Sequence, residues 1–410
     1  MKSDNAELLS AIGRQRDGWC LEQAFYTSDE IFEFERKHFF SRQWAVVAHA
    51  SELPRKGDHI VRSLFGEEII IVRASSEGDF RAYFNVCPHR GSRICSKDGR
   101  APLLVCPYHA WSFKLTGEMQ NRREVPEGAD PDELGLRPVP IAVTGSMILC
   151  GLDAEMLPDP QPAVEGMLPI LRRHGIDTAK IALRKTYPTN ANWKLVIENF
   201  FECYHCRPAH PEYFRTNGHV KVSAMRDEAA AASWNEQLES WNAKFGENGR
   251  SLSPSYGDSL DRIAFGFYRK PIGDGRKSLS SDGGPVSKLM GEFTEYDGAE
   301  TGMRLGRLSF VSAANDHATL FQFIPTGARS TDVIITWLVA PDAEPDPDAV
   351  SWMWDVTTVQ DKQIVEENAK GVQSMAYRPG PYTDLETQTA SFIRTYLSEM
   401  KEMAGGTAAS

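Results

Sequence analysis

The chain has 410 residues, with 56 acidic against 45 basic side chains and a formal charge of -11, a balance that disfavours nucleic acid and anionic membranes as partners. Its 41% hydrophobic and 25% charged residues describe an ordinary globular protein, long enough for about two or three domains. No apolar run approaches the roughly 18 residues of a membrane span, and Met1 to Asp17 mixes charges with only a short apolar patch, unlike a signal peptide.

Seven cysteines without a secretion signal point to the reducing cytoplasm, where they serve as buried thiols or metal ligands. Cys20, Cys95 and Cys150 read as core residues. From Thr27 to Phe40, apolar side chains recur at helical spacing (Ile31, Phe32, Phe34, Phe39, Phe40) behind a candidate N-cap, Ser28. Ile31 stands where an acid would close a capping box, but Asp29 and Glu30 favour the positive helix end. Residues 1–43 are therefore expected to pack on later parts of the chain.

Between 44 and 155 the texture changes. Short runs such as Glu68 to Arg73, Ala82 to Val86 and Leu103 to Val105 alternate with Gly, Asp, Ser and Pro turns, which predicts a small antiparallel β domain. Two of its loops, Cys87-Pro88-His89-Arg90-Gly91 and Cys106-Pro107-Tyr108-His109-Ala110-Trp111, each offer one thiolate and one imidazole. Two such hairpin tips can clamp one [2Fe-2S] cluster, with Cys87 and Cys106 on one iron and His89 and His109 on the other. Imidazoles can sit at a surface while thiolates stay buried, so the histidine side is the natural exit for an electron. A zinc site is the alternative for the same four ligands.

The Pro-rich run from Leu157 to Pro162 marks a boundary, so that residues 156–410 form the second unit. Within it, Asn192 to Glu212 concentrates chemistry. Glu202 and His205, three residues apart, would share a helix face. His210 would lie about 140° away on a continuous helix of 3.6 residues per turn. Pro208 is expected to stop the helix at Arg207 and let His210 fold back. Two imidazoles plus one carboxylate from elsewhere would make the facial triad of a non-heme iron site. Cys203 and Cys206 leave a C-x2-C zinc alternative.

Residues from about 227 to 296 read as an irregular insertion, either a binding loop or a plain surface excursion. Ala318 to Pro325 and Asp332 to Val339 flank a turn at Thr326 to Ala328 and predict an antiparallel pair. Helices are expected from about Val350 to Ser374 and, after a turn at Gly380, to Met400. The whole reads as α+β.

These motifs together resemble the α subunit of Rieske non-heme iron oxygenases, over nearly the whole chain. The two cluster loops, the continuation Trp111-Ser112-Phe113 to Gly117, and the block Asn192 to Glu212 carry the likeness. The text from Asn192 to Val196 and from Glu202 to Cys206 is most similar to the branch that demethylates quaternary amines such as glycine betaine and stachydrine. Most ring-hydroxylating relatives have Asp where this chain has Glu202.

The resemblance implies a small antiparallel Rieske domain and a larger helix-grip catalytic domain, an antiparallel sheet with helices. It implies a mononuclear Fe(II) besides the cluster, electrons from NAD(P)H through a separate flavin or ferredoxin-type reductase, and a homotrimer. Glu202 would bridge His109 of one chain and His205 of the next. The third iron ligand would be an acid on the late helix, Asp361 by position. Gln360 stands where an acid is usual, and Asp355 and Glu366 remain open. The implied reaction is O2-dependent N-demethylation of a betaine with release of formaldehyde. Aromatic ring hydroxylation and a simple Rieske electron carrier are the alternatives. Phe200, Phe201, Tyr204, Phe321, Phe323 and Trp337 are the aromatic candidates for holding a cation.

Overall fold

The computed structural model describes residues 6–120, 128–130, 133–220, 228–245, 263–273 and 275–406. The chain enters through α1 (Ala6–Arg14), α2 (Gln23–Thr27) and α3 (Asp29–Phe34). Ser28 caps α3 by accepting from the Ile31 N–H at 3.3 Å. Past Phe34 the helix loosens into a π turn over Glu35–Phe39, which carries Glu35 fully into the interior. There Glu35 meets Lys194 Nζ at 2.5 Å, Trp193 Nε1 at 2.9 Å and the Tyr396 hydroxyl. A buried pair of charges holds only when both are answered. This cluster therefore ties the entry segment to the helix that begins at Trp193.

Nine short strands follow among the described residues. β1 (Ala45–His49) pairs with β9 (Met147–Cys150), which pairs with β8 (Ile141–Thr144). β2 (Asp58–Leu64), β3 (Glu67–Arg73), β4 (Phe80–Phe84) and β5 (Gly99–Arg100) form a second sheet in the order β4-β3-β2-β5. β6 (Leu104–Val105) and β7 (Ser112–Phe113) make a small hairpin. Ile70, Val72, Tyr83, Leu104, Trp111 and Phe113 form a separate apolar cluster that contains Cys87 and Cys106.

A six-stranded antiparallel sheet dominates the rest, in the order β10-β15-β14-β13-β12-β11. Its strands are β10 (Lys180–Thr189), β11 (Phe265–Pro271), β12 (Ala299–Leu305), β13 (Ser309–Ala313), β14 (Ala318–Gly327) and β15 (Ser330–Val339). β14 and β15 pair as the sequence predicts, with Phe321 opposite Ile335. The Pro-rich connection is less open than expected, since α4 (Gln161–Arg173) starts with Pro162 in its first turn, where a missing N–H costs nothing.

Across the sheet lie α5 (Trp193–Phe200), the short α6 (Cys206–Ala209) and α7 (Pro211–Thr216). The expected irregular insertion is in part ordered: it holds α8 (Glu228–Phe245) and β11, while 227, 246–262 and 274 lie outside the described residues. α9 (Pro347–Val372), capped by Asp346 with Pro347 at its first position, and α10 (Thr387–Gly406) complete the layer. Among the described residues no helix is long and apolar enough to cross a membrane.

Candidate metal centres and active-site cavity

The two Cys/His loops converge. The His89 and His109 rings lie 4.7 Å apart, and His89 stacks on Trp111 at 4.4 Å. Both histidines are exposed, whereas Cys87 and Cys106 are 2% exposed. Gly91 and Ala110 adopt positive φ, 75° and 59°, which folds each tip back after its imidazole. The turns aim backbone N–H groups at sulfur, those of His89 and Arg90 at Cys87 and those of Tyr108 and His109 at Cys106. Burial raises the Cys87 thiol; at Cys106 burial also works upward, but the N–H donors and neighbouring side chains outweigh it and lower the thiol. Two buried sulfurs cradled by amides beside two surface imidazoles suit a Rieske cluster, whose sulfurs need such donors.

The second centre is built on α5, α6 and α9. Asn192 caps α5, accepting from Lys194 N at 2.9 Å while its amide donates to Ala328 O at 2.7 Å. α5 ends at Phe200, earlier than the sequence suggests. Glu202 and His205 therefore meet across a turn, not along a helix face. One Glu202 oxygen accepts the N–H groups of Tyr204 and His205, and the other lies 2.5 Å from His205 Nδ1. Pro208 does not end the helix; it sits in the first turn of α6, where it is tolerated. The break comes at His210 (φ -126°, ψ 71°), which precedes Pro211 and is barred from helical geometry by it.

That break turns His210 back to His205, with ring centroids 5.1 Å apart. Asp361, from the middle of α9, completes the group: its Oδ1 lies 2.9 Å from His210 Nε2 and 3.4 Å from His205 Nε2. The three donor atoms fall within 4.8 Å of one another. Burial opposes a charged His205, but the Asp361 and Glu202 carboxylates outweigh it and lift its pKa to about 9. Asp361, despite its burial, is held below the usual carboxylate range by the two imidazoles. Two imidazole nitrogens and one carboxylate, in a field that favours positive charge, match a ferrous facial triad.

Asp355 and Glu366 are engaged elsewhere. Asp355 accepts from the Tyr187 hydroxyl and pairs with Lys185 at 3.0 Å. Glu366 binds Asn190 and Lys362. Cys203 and Cys206 are neither free thiols nor ligands, since their sulfurs are bonded to each other. Cys20 and Cys95 are only half-buried, while Cys150 is core.

The triad forms part of the wall of a cavity of about 180 Å³, a volume for a small substrate. Phe200, Phe201 and Phe321 of the expected aromatic residues line it. Trp337 is core and Tyr204 is half exposed. Tyr213, Tyr268, Phe310 and Trp354 also line it, as do Glu300 and Arg304. Trp354, Thr357 and Asp361 follow one face of α9 at spacings of three and four, a signal present in the sequence. Gln360, noted there only as standing where an acid is usual, lies with Oε1 2.9 Å from His210 Nδ1 and donates to Glu212 at 2.9 Å.

Comparison with known proteins matches residues 43–139 to a Rieske [2Fe-2S] domain and residues 176–260 and 307–402 to the catalytic domain of ring-hydroxylating α subunits. The chain is 34% identical to the glycine betaine monooxygenase oxygenase subunit of Chromohalobacter salexigens, over 94% of this chain and 87% of that one. It is 33% identical to the carnitine monooxygenase oxygenase subunit of Acinetobacter pittii, over 88% and 87%. A solved quaternary ammonium Rieske monooxygenase superposes with a TM-score of 0.71 at 24% identity, covering 95% of this chain and 97% of that one.

Proposed function

Because the chain belongs to the α subunits of Rieske non-heme iron oxygenases, enzymes with a Rieske [2Fe-2S] cluster and a mononuclear iron, we propose that it is the terminal oxygenase that N-demethylates a quaternary ammonium betaine. The observation that carries this reading is the cavity itself, where His205, His210 and Asp361 share walls with Tyr213, Phe310, Phe321 and Trp354. Aromatic faces attract a diffuse cation by about 0.5–2 kcal/mol each. Arg304 supplies a positive group on the same wall for a substrate carboxylate.

In this reading residues 44–155 hold the cluster through Cys87, His89, Cys106 and His109. Residues 156–410 hold the iron through His205, His210 and Asp361, and 1–43 pack on that unit. When bound, the iron supplies O2 activation and oxidation of an N-methyl C–H bond. A pair of electrons from NAD(P)H, delivered by a separate reductase, and a pair of protons balance the step. One oxygen atom enters the methyl group and the other leaves as water. The carbinolamine then releases formaldehyde and the demethylated amine.

The chain's own groups set the geometry for this. Glu202 accepts from His205 Nδ1 and Gln360 Oε1 from His210 Nδ1, which presents both Nε2 atoms to the triad centre. Glu202 would also reach His109 of the next chain in a homotrimer. Exposed rings at both places, Tyr108 (55%) and Tyr204 (50%), suit such a contact.

The test is turnover of purified oxygenase with NADH and the reductase of a betaine monooxygenase, offered glycine betaine, carnitine, choline and simple arenes. Formaldehyde formed in step with NADH use from one of the ammonium compounds is expected. Ring hydroxylation of an arene, with no formaldehyde from any ammonium compound, would overturn the reading.

A further inference from the structure

One carboxylate in the cavity has an oxygen with nothing to bind. Glu300, on β12, is 3% exposed and lines the cavity. Its Oε1 accepts from Ser312 Oγ at 2.6 Å, and Ser312 Oγ in turn accepts from Trp354 Nε1 at 3.1 Å. Its Oε2 is buried without any hydrogen-bond donor. A buried carboxylate oxygen left unanswered is costly, and folds normally supply it a donor.

Lys270 and Arg269 feel its charge but donate no hydrogen bond to it. Lys270, opposite Glu300 across β11 and β12, contacts His219 Nε2 at 2.5 Å. Arg269 is engaged by both oxygens of Asp297 and by Thr301. Among the described residues no ion pair reaches Glu300.

Glu300 shares this cavity with all three triad residues. Tyr213, also on its wall, packs its ring against Trp354 at 5.3 Å. Glu300 sits within the same aromatic enclosure that the triad borders.

The chemistry of the absent partner follows from that enclosure. A cation in contact with the carboxylate answers that oxygen as a donor would, and walls made of aromatic faces favour one whose charge is spread over methyl groups. Such a cation is held by aromatic faces and by an anion at contact distance, without directional bonding. Gly302, between Glu300 and Arg304 on the strand, lets the Tyr268 ring lie directly against this wall, since a Cβ there would lie 2.4 Å from Tyr268 Cζ.

We propose that Glu300 is the counter-ion of the substrate ammonium and a specificity-determining residue, selecting a quaternary ammonium over the compound of the same shape in which an uncharged carbon replaces the nitrogen. The inference rests on the reading of the substrate as a quaternary ammonium compound.

The experiment uses the full-length oxygenase with both metal centres and measures equilibrium binding by calorimetry. The probes are glycine betaine and 3,3-dimethylbutanoate, in which carbon replaces the quaternary nitrogen. The wild type is expected to favour glycine betaine by at least about 30-fold. In Glu300→Gln the preference falls to within about threefold, mainly through weaker glycine betaine binding. Glu300→Asp, which keeps the charge, retains most of the preference. An unchanged preference in a folded, metal-replete Glu300→Gln protein overturns the role of Glu300 and leaves the demethylase reading standing. A wild type that binds neither glycine betaine, carnitine nor choline overturns both.

Discussion

Asp361 Oδ1 stands 2.9 Å from Nε2 of His210 although 151 residues separate them. The contact joins the middle of α9 to the bend between α6 and α7. Its removal should therefore be specific. Asp361→Ala is expected to lose the mononuclear iron while the visible absorption of the cluster stays as in the wild type. A variant that keeps its full iron content would exclude Asp361 as a ligand.

Gln360 links His210 to Glu212. A group that orients a ligating imidazole commonly contributes about 10- to 100-fold in metal affinity or activity. Gln360→Leu should lower ferrous affinity by that order, and Gln360→Glu, which restores an acceptor for His210 Nδ1, should recover most of it. Chelator titration followed by iron analysis reads both.

Glu202 can be separated from metal binding because on the His205 ring it touches Nδ1 and leaves Nε2 to the triad. Glu202→Gln should retain both centres and a normally reducible cluster, yet slow oxidation of the reduced cluster on mixing with substrate and O2. The expected drop is of the order of 10- to 100-fold. Stopped-flow absorbance of the cluster measures it; an unchanged rate would remove Glu202 from the electron path.

Glu198 sits behind the site, accepting from Tyr26 at 2.9 Å and Tyr382 at 3.0 Å. Burial raises its pKa to about 7, although the two tyrosines and Lys194 pull it down. The folded state then holds a proton that the unfolded state has released, so stability falls as pH rises from the ordinary carboxylate range through about 7. Glu198→Gln should flatten that decline, by up to about 3 kcal/mol. Thermal unfolding between pH 5 and 8 gives the answer.

The cluster loops were legible because their chemistry is local: a thiolate and an imidazole within four residues of each other, twice. The paired strands at Phe321 and Ile335 were legible through alternation. His205 and His210 were identified, but the reason for their meeting was not. The sequence argument assigned the break to Pro208, whereas Pro211 acts on His210 directly. Asp361 rested on resemblance alone, since charge on α9 does not distinguish it from Asp355 or Glu366. Only the fold shows that those two are bound to Lys185 and Lys362. Glu300 carries no sequence mark at all, because what sets it apart is the cavity it faces, and Gln360 is marked only as standing where an acid is usual, its bond to His210 being visible in the fold alone.

The measurement that bears most directly on the account is metal analysis of the purified chain with two variants. The wild type should hold about three irons and two inorganic sulfides per chain, one mononuclear iron beside the pair in the cluster. His205→Ala should keep about two irons with both sulfides, and Cys106→Ala should lose the sulfides. Zinc in place of iron, or a His205→Ala variant with the wild-type iron content, would contradict the assignment of two separate iron centres to these residues.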